Sequence, residues 1–200
     1  MVVIVRGREA MRRASLCGQS DLIGVVVLLG AVLVIGVAFA GMALTSVSTF
    51  IGVNRVKTAL SEDQSSVFIY VERENATHAC LGVLRIVPDY RVYAIGLFTS
   101  DLNQDLSGAI IPPKHDTLVS RTIESSRVYR LYQGEYYSIP MKGLVNVYFL
   151  TDQAIRDYIL QRKPLLVCVD KSGLPSDGYL VVFSFINNEL YEVRGWYVKP

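Results

Sequence analysis

No ionisable side chain occurs between Leu22 and Val53, and from Leu22 to Leu44 the run is continuously apolar if glycine is counted with it. An α-helix rises about 1.5 Å per residue, so about 20 apolar residues cross the roughly 30 Å of bilayer hydrocarbon. Leu22 to Leu44 meets that length, whereas the apolar core of a cleaved secretory leader spans only about 7–15 residues. The segment is therefore expected to stay in the mature chain as a transmembrane helix. Ser20 or Asp21 is a suitable cap for its start. Asn54 to Leu60 can continue it to about Ser61, with Gly52 as the weak point.

Charge placement sets the expected orientation. The first 20 residues carry Arg6, Arg8, Arg12 and Arg13 against Glu9 alone. Basic flanks stay in the cytoplasm, so the topology reads N-terminus in and C-terminal domain out. After Val53 there are 16 Lys/Arg and 16 Asp/Glu, a neutral balance. With no basic run to track phosphates, nucleic acid is not an expected partner. The chain divides into a basic leader (1–18), a hydrophobic helix (19–61) and an extracytoplasmic domain (62–200).

Beyond Val67 the pattern alternates, as half-buried strands do. Val67–Val71, Cys80–Val87, Leu144–Leu150 and Leu165–Val169 read as strands, and after a turn at Pro88-Asp89 Tyr90–Phe98 reads as a returning strand. Val128–Tyr132 and Glu135–Ser138 read as a hairpin turning at Gln133-Gly134. Tyr179–Phe185 and Leu190–Tyr197 form another, turning at Asn187-Asn188. Asp101–Ile111 reads as a polar loop closed by Pro112-Pro113. Asp152–Gln161 is the one short helix, capped by Asp152. The expected architecture is a hydrophobic transmembrane α-helix plus a mainly-β extracytoplasmic domain of about nine strands, β-sandwich-like or an open twisted sheet.

Few residues suggest chemistry. His78 and Cys80 are metal-capable, but with only His115 and Cys168 as further candidates no zinc set is expected. Cys80 and Cys168, both in the translocated domain, are either a disulfide or two buried thiols. No G-x-S-x-G elbow surrounds a serine, so no enzyme and no cofactor is expected. Asp101, Asn103, Asp105 and Ser107 have calcium-loop spacing, but Leu106 replaces the turn glycine and Pro112 the bidentate acid. Asn75-Ala76-Thr77 is an N-glycosylation sequon. The tyrosines at alternating strand positions read as sheet packing, or more sharply as a sugar-binding platform. Gly24, Gly30, Gly36, Ala40 and Gly41 are small residues that permit close helix–helix approach in lipid.

The stretch Arg12-Arg13-Ala14-Ser15-Leu16-Cys17-Gly18-Gln19-Ser20-Asp21-Leu22-Ile23-Gly24, running straight into the apolar helix, resembles the N-terminus of archaeal type IV pilin-like proteins, the family that includes archaellins. The resemblance covers about residues 12–50. It implies a class III signal peptide cut by a prepilin peptidase after Gly18, leaving Gln19 as the new N-terminus; Ala14 is the alternative site. Arg12 and Arg13 lie further from the cut than in many members, and Asp21 falls near the start of the mature helix rather than at the fifth position, where bacterial pilins carry glutamate. The resemblance implies self-assembly with copies or related pilin-like subunits, served by an assembly ATPase and a membrane platform protein. The expected role is a subunit, major or minor, of an archaeal surface filament. The alternative is a single-pass anchored binding or accessory domain that never polymerises.

Overall fold

A computed structural model describes the backbone of residues 6–111, 117–175 and 177–200, and the side chains of those residues outside 6–21 and 47–54. The Pro112-Pro113 turn and His115 lie outside the described residues. The first element, α1 (Arg6–Ser66), is one helix of 61 residues. It passes through Ser20 and Asp21, so neither is its start, and it runs through Gly52 to Ser66 rather than stopping near Ser61. One glycine costs a helix only about 1 kcal/mol relative to alanine, less than breaking several backbone hydrogen bonds.

The chain divides into two compact units, residues up to Arg55 and Val56–Pro200. In the first, Leu22–Ser46 is a stretch of 25 residues long and apolar enough to cross a membrane, unburied among the described residues. At its polar end Thr45 Oγ1 donates to Gly41 O at 2.8 Å and Ser46 Oγ to Met42 O at 2.9 Å, so these hydroxyls bond within the helix itself.

The second unit holds the end of α1 and eleven strands in two sheets. One sheet has the order β1 (Val67–Glu74), β2 (His78–Arg85), β9 (Leu165–Asp170), β4 (Ile110–Ile111). The other runs β5 (Leu118–Glu124), β8 (Leu144–Leu150), β3 (Tyr93–Thr99), β10 (Gly178–Ile186), β11 (Glu189–Val198), β6 (Val128–Tyr132), β7 (Glu135–Ser138). All pairings are antiparallel except β6 with β11. Both hairpin turns expected from the sequence form. Gln133-Gly134 and Asn187-Asn188 have positive φ at both residues, the turn whose twist matches its flanking strands.

Period-two alternation sorts β3 and β10 into two buried faces. Tyr93, Ile95, Leu97, Leu180 and Val182 join Leu81, Val83, Leu165 and Val167 of the smaller sheet in one core cluster. Ala94, Phe98, Val181 and Phe183 form a second cluster with Val128, Val145, Val147, Phe149 and Leu190. The larger sheet is thus buried on both faces at its centre, which explains why β3 is so uniformly apolar.

The structure corrects four further expectations. Residues Asp101–Ile111 are not simply a polar loop, since Leu102 enters the second cluster while Leu106 and Ile110 enter the first. Strands β4 and β5 were not expected; β4 has two residues and β5 is an edge strand with one buried residue, so neither has an alternating signature. Strand β3 does not return along β2 but crosses to the other sheet. The short helix α2 (Asp152–Ala154) is capped by Thr151, whose Oγ1 accepts from Ala154 N at 3.1 Å, and continues as a π-helical turn over Ile155–Ile159.

Candidate functional site

The most elaborate polar structure in the second unit surrounds the last turns of α1. A helix leaves its final carbonyls without intrahelical partners. Here Gln64 O accepts from Arg194 Nη2 at 2.6 Å, and Ser66 O accepts from the Ile86 amide at 2.9 Å. Glu62 O and Asp63 O accept from the hydroxyls of Ser65 and Ser66. Arg194 Nε also donates to Val67 O at 3.2 Å, so one guanidinium spans the junction where helix passes directly into β1. A cation here also suits the negative end of the helix dipole.

Glu62 and Asp63 stand at that same negative end, where carboxylates are unfavourable unless cations arrive from elsewhere. They arrive from β2 and from the segment between β2 and β3. Asp63 is 0% exposed and Arg85, with which it forms an ion pair, is 2% exposed. Arg91 Nη1 lies 2.7 Å from the same Asp63 oxygen and Nη2 lies 2.6 Å from Glu62 Oε2. Arg91 Nη1 also donates to Ala59 O at 2.7 Å. Asp89 Oδ2 joins the two arginines, 2.7 Å from Arg85 Nη2 and 3.0 Å from Arg91 Nε. This ring grips α1 through residues 59, 62 and 63, and Leu60 on the same helix is buried.

Tyr93 closes the ring from below. Its hydroxyl accepts from Arg85 Nη1 and lies 3.2 Å from Asp63 Oδ1 and 3.1 Å from Asp89 Oδ1. Burial, then the nearby Asp63 and Asp89 charges, hold this phenol protonated far above its ordinary range. Asp63 Oδ2 is buried without a hydrogen-bond partner, so its charge is held mainly through Oδ1. Asp63, Arg85, Asp89 and Tyr93 bond to one another, and the cavity beside Arg85 and Tyr93 is only about 10 Å³. The arrangement is chemically suited to fastening a helix end to a β-domain.

Apart from Asp89, read only as a turn residue, none of these residues is singled out by the sequence. Two signals were present: an acidic pair late in a helix, and Arg85 interrupting the apolar run Leu81–Val87. Neither reveals that the two meet, because 22 positions separate Asp63 from Arg85.

The residues that were singled out lie elsewhere. Gly18 and Gln19 fall within α1, with side chains outside the described ones. Gly24, Gly30, Gly36 and Gly41 have open space where a Cβ would stand among the described residues, and Ala40 is exposed. Cys80 and Cys168 face each other across β2 and β9 and are joined as a disulfide. The thiols a zinc site would need are therefore bonded to each other. Asn75 is exposed in the β1–β2 turn, its Oδ1 accepting from Thr77 N at 2.9 Å and His78 N at 2.6 Å. In the calcium-spaced loop the carboxylates take internal donors. Asp101 accepts from Thr99, which most lowers its pKa, and from Asn103; Asp105 accepts from Ser107 N and Asn146 N.

A second polar centre lies on the far face of the larger sheet. A bulge opposite Val182 and Phe183 adds a residue to β11, so Glu192 and Arg194 point to opposite faces although they are two apart. Glu192 accepts from Tyr179 Oη at 2.6 Å and from Leu131 N at 3.0 Å, replacing the strand acceptor where β6 leaves β11. Burial raises the Glu192 pKa, and these donors offset only part of that rise. Tyr179 lies so close over Gly195 that an added Cβ would clash with its ring. No family model, curated protein or solved structure matches this chain.

Proposed function

We propose that this protein is a pilin-like subunit of an archaeal surface filament, held in the membrane by α1 and assembled through it. The carrying observation is Leu22–Ser46, a stretch of 25 residues long and apolar enough to cross a membrane and unburied among the described residues, so its apolar side chains suit a surrounding of lipid or other helices. Small residues at Gly24, Gly30, Gly36, Ala40 and Gly41 with open space beside the glycines support close packing of copies. In this reading the leader is cut after Gly18 by a prepilin peptidase, the N-terminus begins in the cytoplasm, and the neutral β-domain folds outside as a β-sandwich. The Cys80–Cys168 disulfide suits that oxidising side. The ring of Asp63, Arg85, Asp89 and Arg91 then fastens the domain to the end of the assembling helix. An assembly ATPase and a platform protein would drive extraction from the bilayer.

The test is intact-mass analysis of protein purified from native membranes, followed by electron microscopy of surface filaments labelled for this chain. A mature chain beginning at Gln19 and label along filaments are expected. A mature chain retaining the leader, with no label on any filament, leaves the non-polymerising anchored domain as the reading.

A further inference from the structure

The outer face of β6 and β7 carries a feature that neither membrane anchoring nor assembly uses. Arg130, Tyr132 and Tyr137 line an open cavity of about 370 Å³. Arg130 and Tyr137 are cross-strand partners, and the Arg130 guanidinium lies 5.4 Å from the centre of the Tyr132 ring. Tyr132 and Tyr137 are 52% and 54% exposed, so two aromatic rings face solvent on either side of a cation. Arg130 forms no ion pair among the described residues, and its Nε is buried without a hydrogen-bond partner. The guanidinium, half-buried with no carboxylate paired to it, therefore offers its terminal N–H groups to the cleft.

The support beneath this cleft is fixed. Tyr179 holds Glu192 by a 2.6 Å hydrogen bond, Tyr197 packs on Tyr179 with ring centres 4.6 Å apart, and both Glu192 and Tyr179 feel the Arg130 charge. The local charge balance argues against an anion, because Glu192 lies near Arg130 and Glu135 pairs across from Tyr132. An open cleft of this shape also does not enclose a lipid tail.

We propose that this cleft binds an uncharged pyranose saccharide. The tyrosine faces would take the apolar C–H face of a sugar ring, while Arg130 and the phenol hydroxyls would bond its hydroxyls. Such a pairing of flat apolar and directed polar contacts fits a sugar better than an extended peptide. The inference is independent of filament assembly and holds equally for a subunit or a solitary anchored domain.

The test is calorimetric titration of the full chain in an amine-oxide detergent, because alkyl-glycoside detergents carry the ligand's own chemistry. The probes are cellotetraose, chitotetraose and mannotetraose, with decaproline as the peptide comparison. Saturable one-site binding of at least one saccharide below about 1 mM is expected. Tyr132→Ala and Tyr137→Ala should each weaken it about tenfold, as should Arg130→Gln, with circular dichroism unchanged. Tyr90→Ala, at an exposed tyrosine outside the cleft, should leave it unaltered. Absence of saturable binding by all three saccharides up to about 10 mM overturns the proposal. So does binding that survives both tyrosine substitutions, or a preference for decaproline.

Discussion

Arg85 is a cation with almost no contact with water, and its surroundings dictate what its loss would do. It is matched by Asp63 and Asp89 and donates to Val87 O and Tyr93 Oη. Removing one member of a buried pair strands the other charge, which typically costs about 3–5 kcal/mol. Asp63→Ala should therefore lower the unfolding free energy of the β-domain by about that amount. Asp63→Leu combined with Arg85→Met, which removes both charges at similar volume, should cost much less; denaturant unfolding of the two variants measures the difference. The buried phenols make a pH prediction. Burial raises the pKa of Tyr93 and Tyr179 in the fold, while in the unfolded chain they titrate near about 10. Stability from these groups is complete below about pH 10 and is lost as pH rises towards their folded values. Phenolate absorbance should thus show some of the twelve tyrosines ionising only as the far-ultraviolet dichroism of the fold is lost. Ionisation of all of them in one step with the dichroism intact would contradict this.

The elements differ in how independent they are of their surroundings. Leu22–Ser46 is apolar enough by composition to cross a membrane as a helix, whereas the last turns of α1 depend on Arg85, Arg91 and Arg194 to offset two carboxylates and cap the final carbonyls. A fragment beginning at Val56 keeps every one of those contacts. One beginning at Val67 loses Leu60, Asp63 and Gln64 and leaves Arg85 without its buried partner. The Val56 fragment should unfold cooperatively, and the Val67 fragment should be less stable by about 3–5 kcal/mol or fail to fold; thermal melts of the two compare them directly. Equal stability would mean that the helix end is a passive appendage. Among the strands, the two hairpins were legible because their turn residues tolerate positive φ. β5 was not, because an edge strand with one buried residue carries no alternation.

At the scale of the whole molecule, the two units differ in where their apolar side chains lie. The first exposes Leu, Val, Ile and Phe over a stretch long enough to cross a membrane, while the second gathers two buried clusters. The full chain should float with lipid vesicles and the Val56–Pro200 fragment should remain in the aqueous fraction. The uncharged run, the arginines before it and the period-two strands beyond it were determined by the sequence alone, because helix length, charge and alternation are local properties. Which sheet each strand joins was decided only in three dimensions. So were the Cys80–Cys168 pairing and the meeting of Asp63 with Arg85 and Arg91. The physical reason is that a hydrophobic pattern says which face of an element is buried, but not which distant residue covers it. Buried charges are the extreme case: Arg85 is tolerable inside only because a helix end brings Asp63 to it.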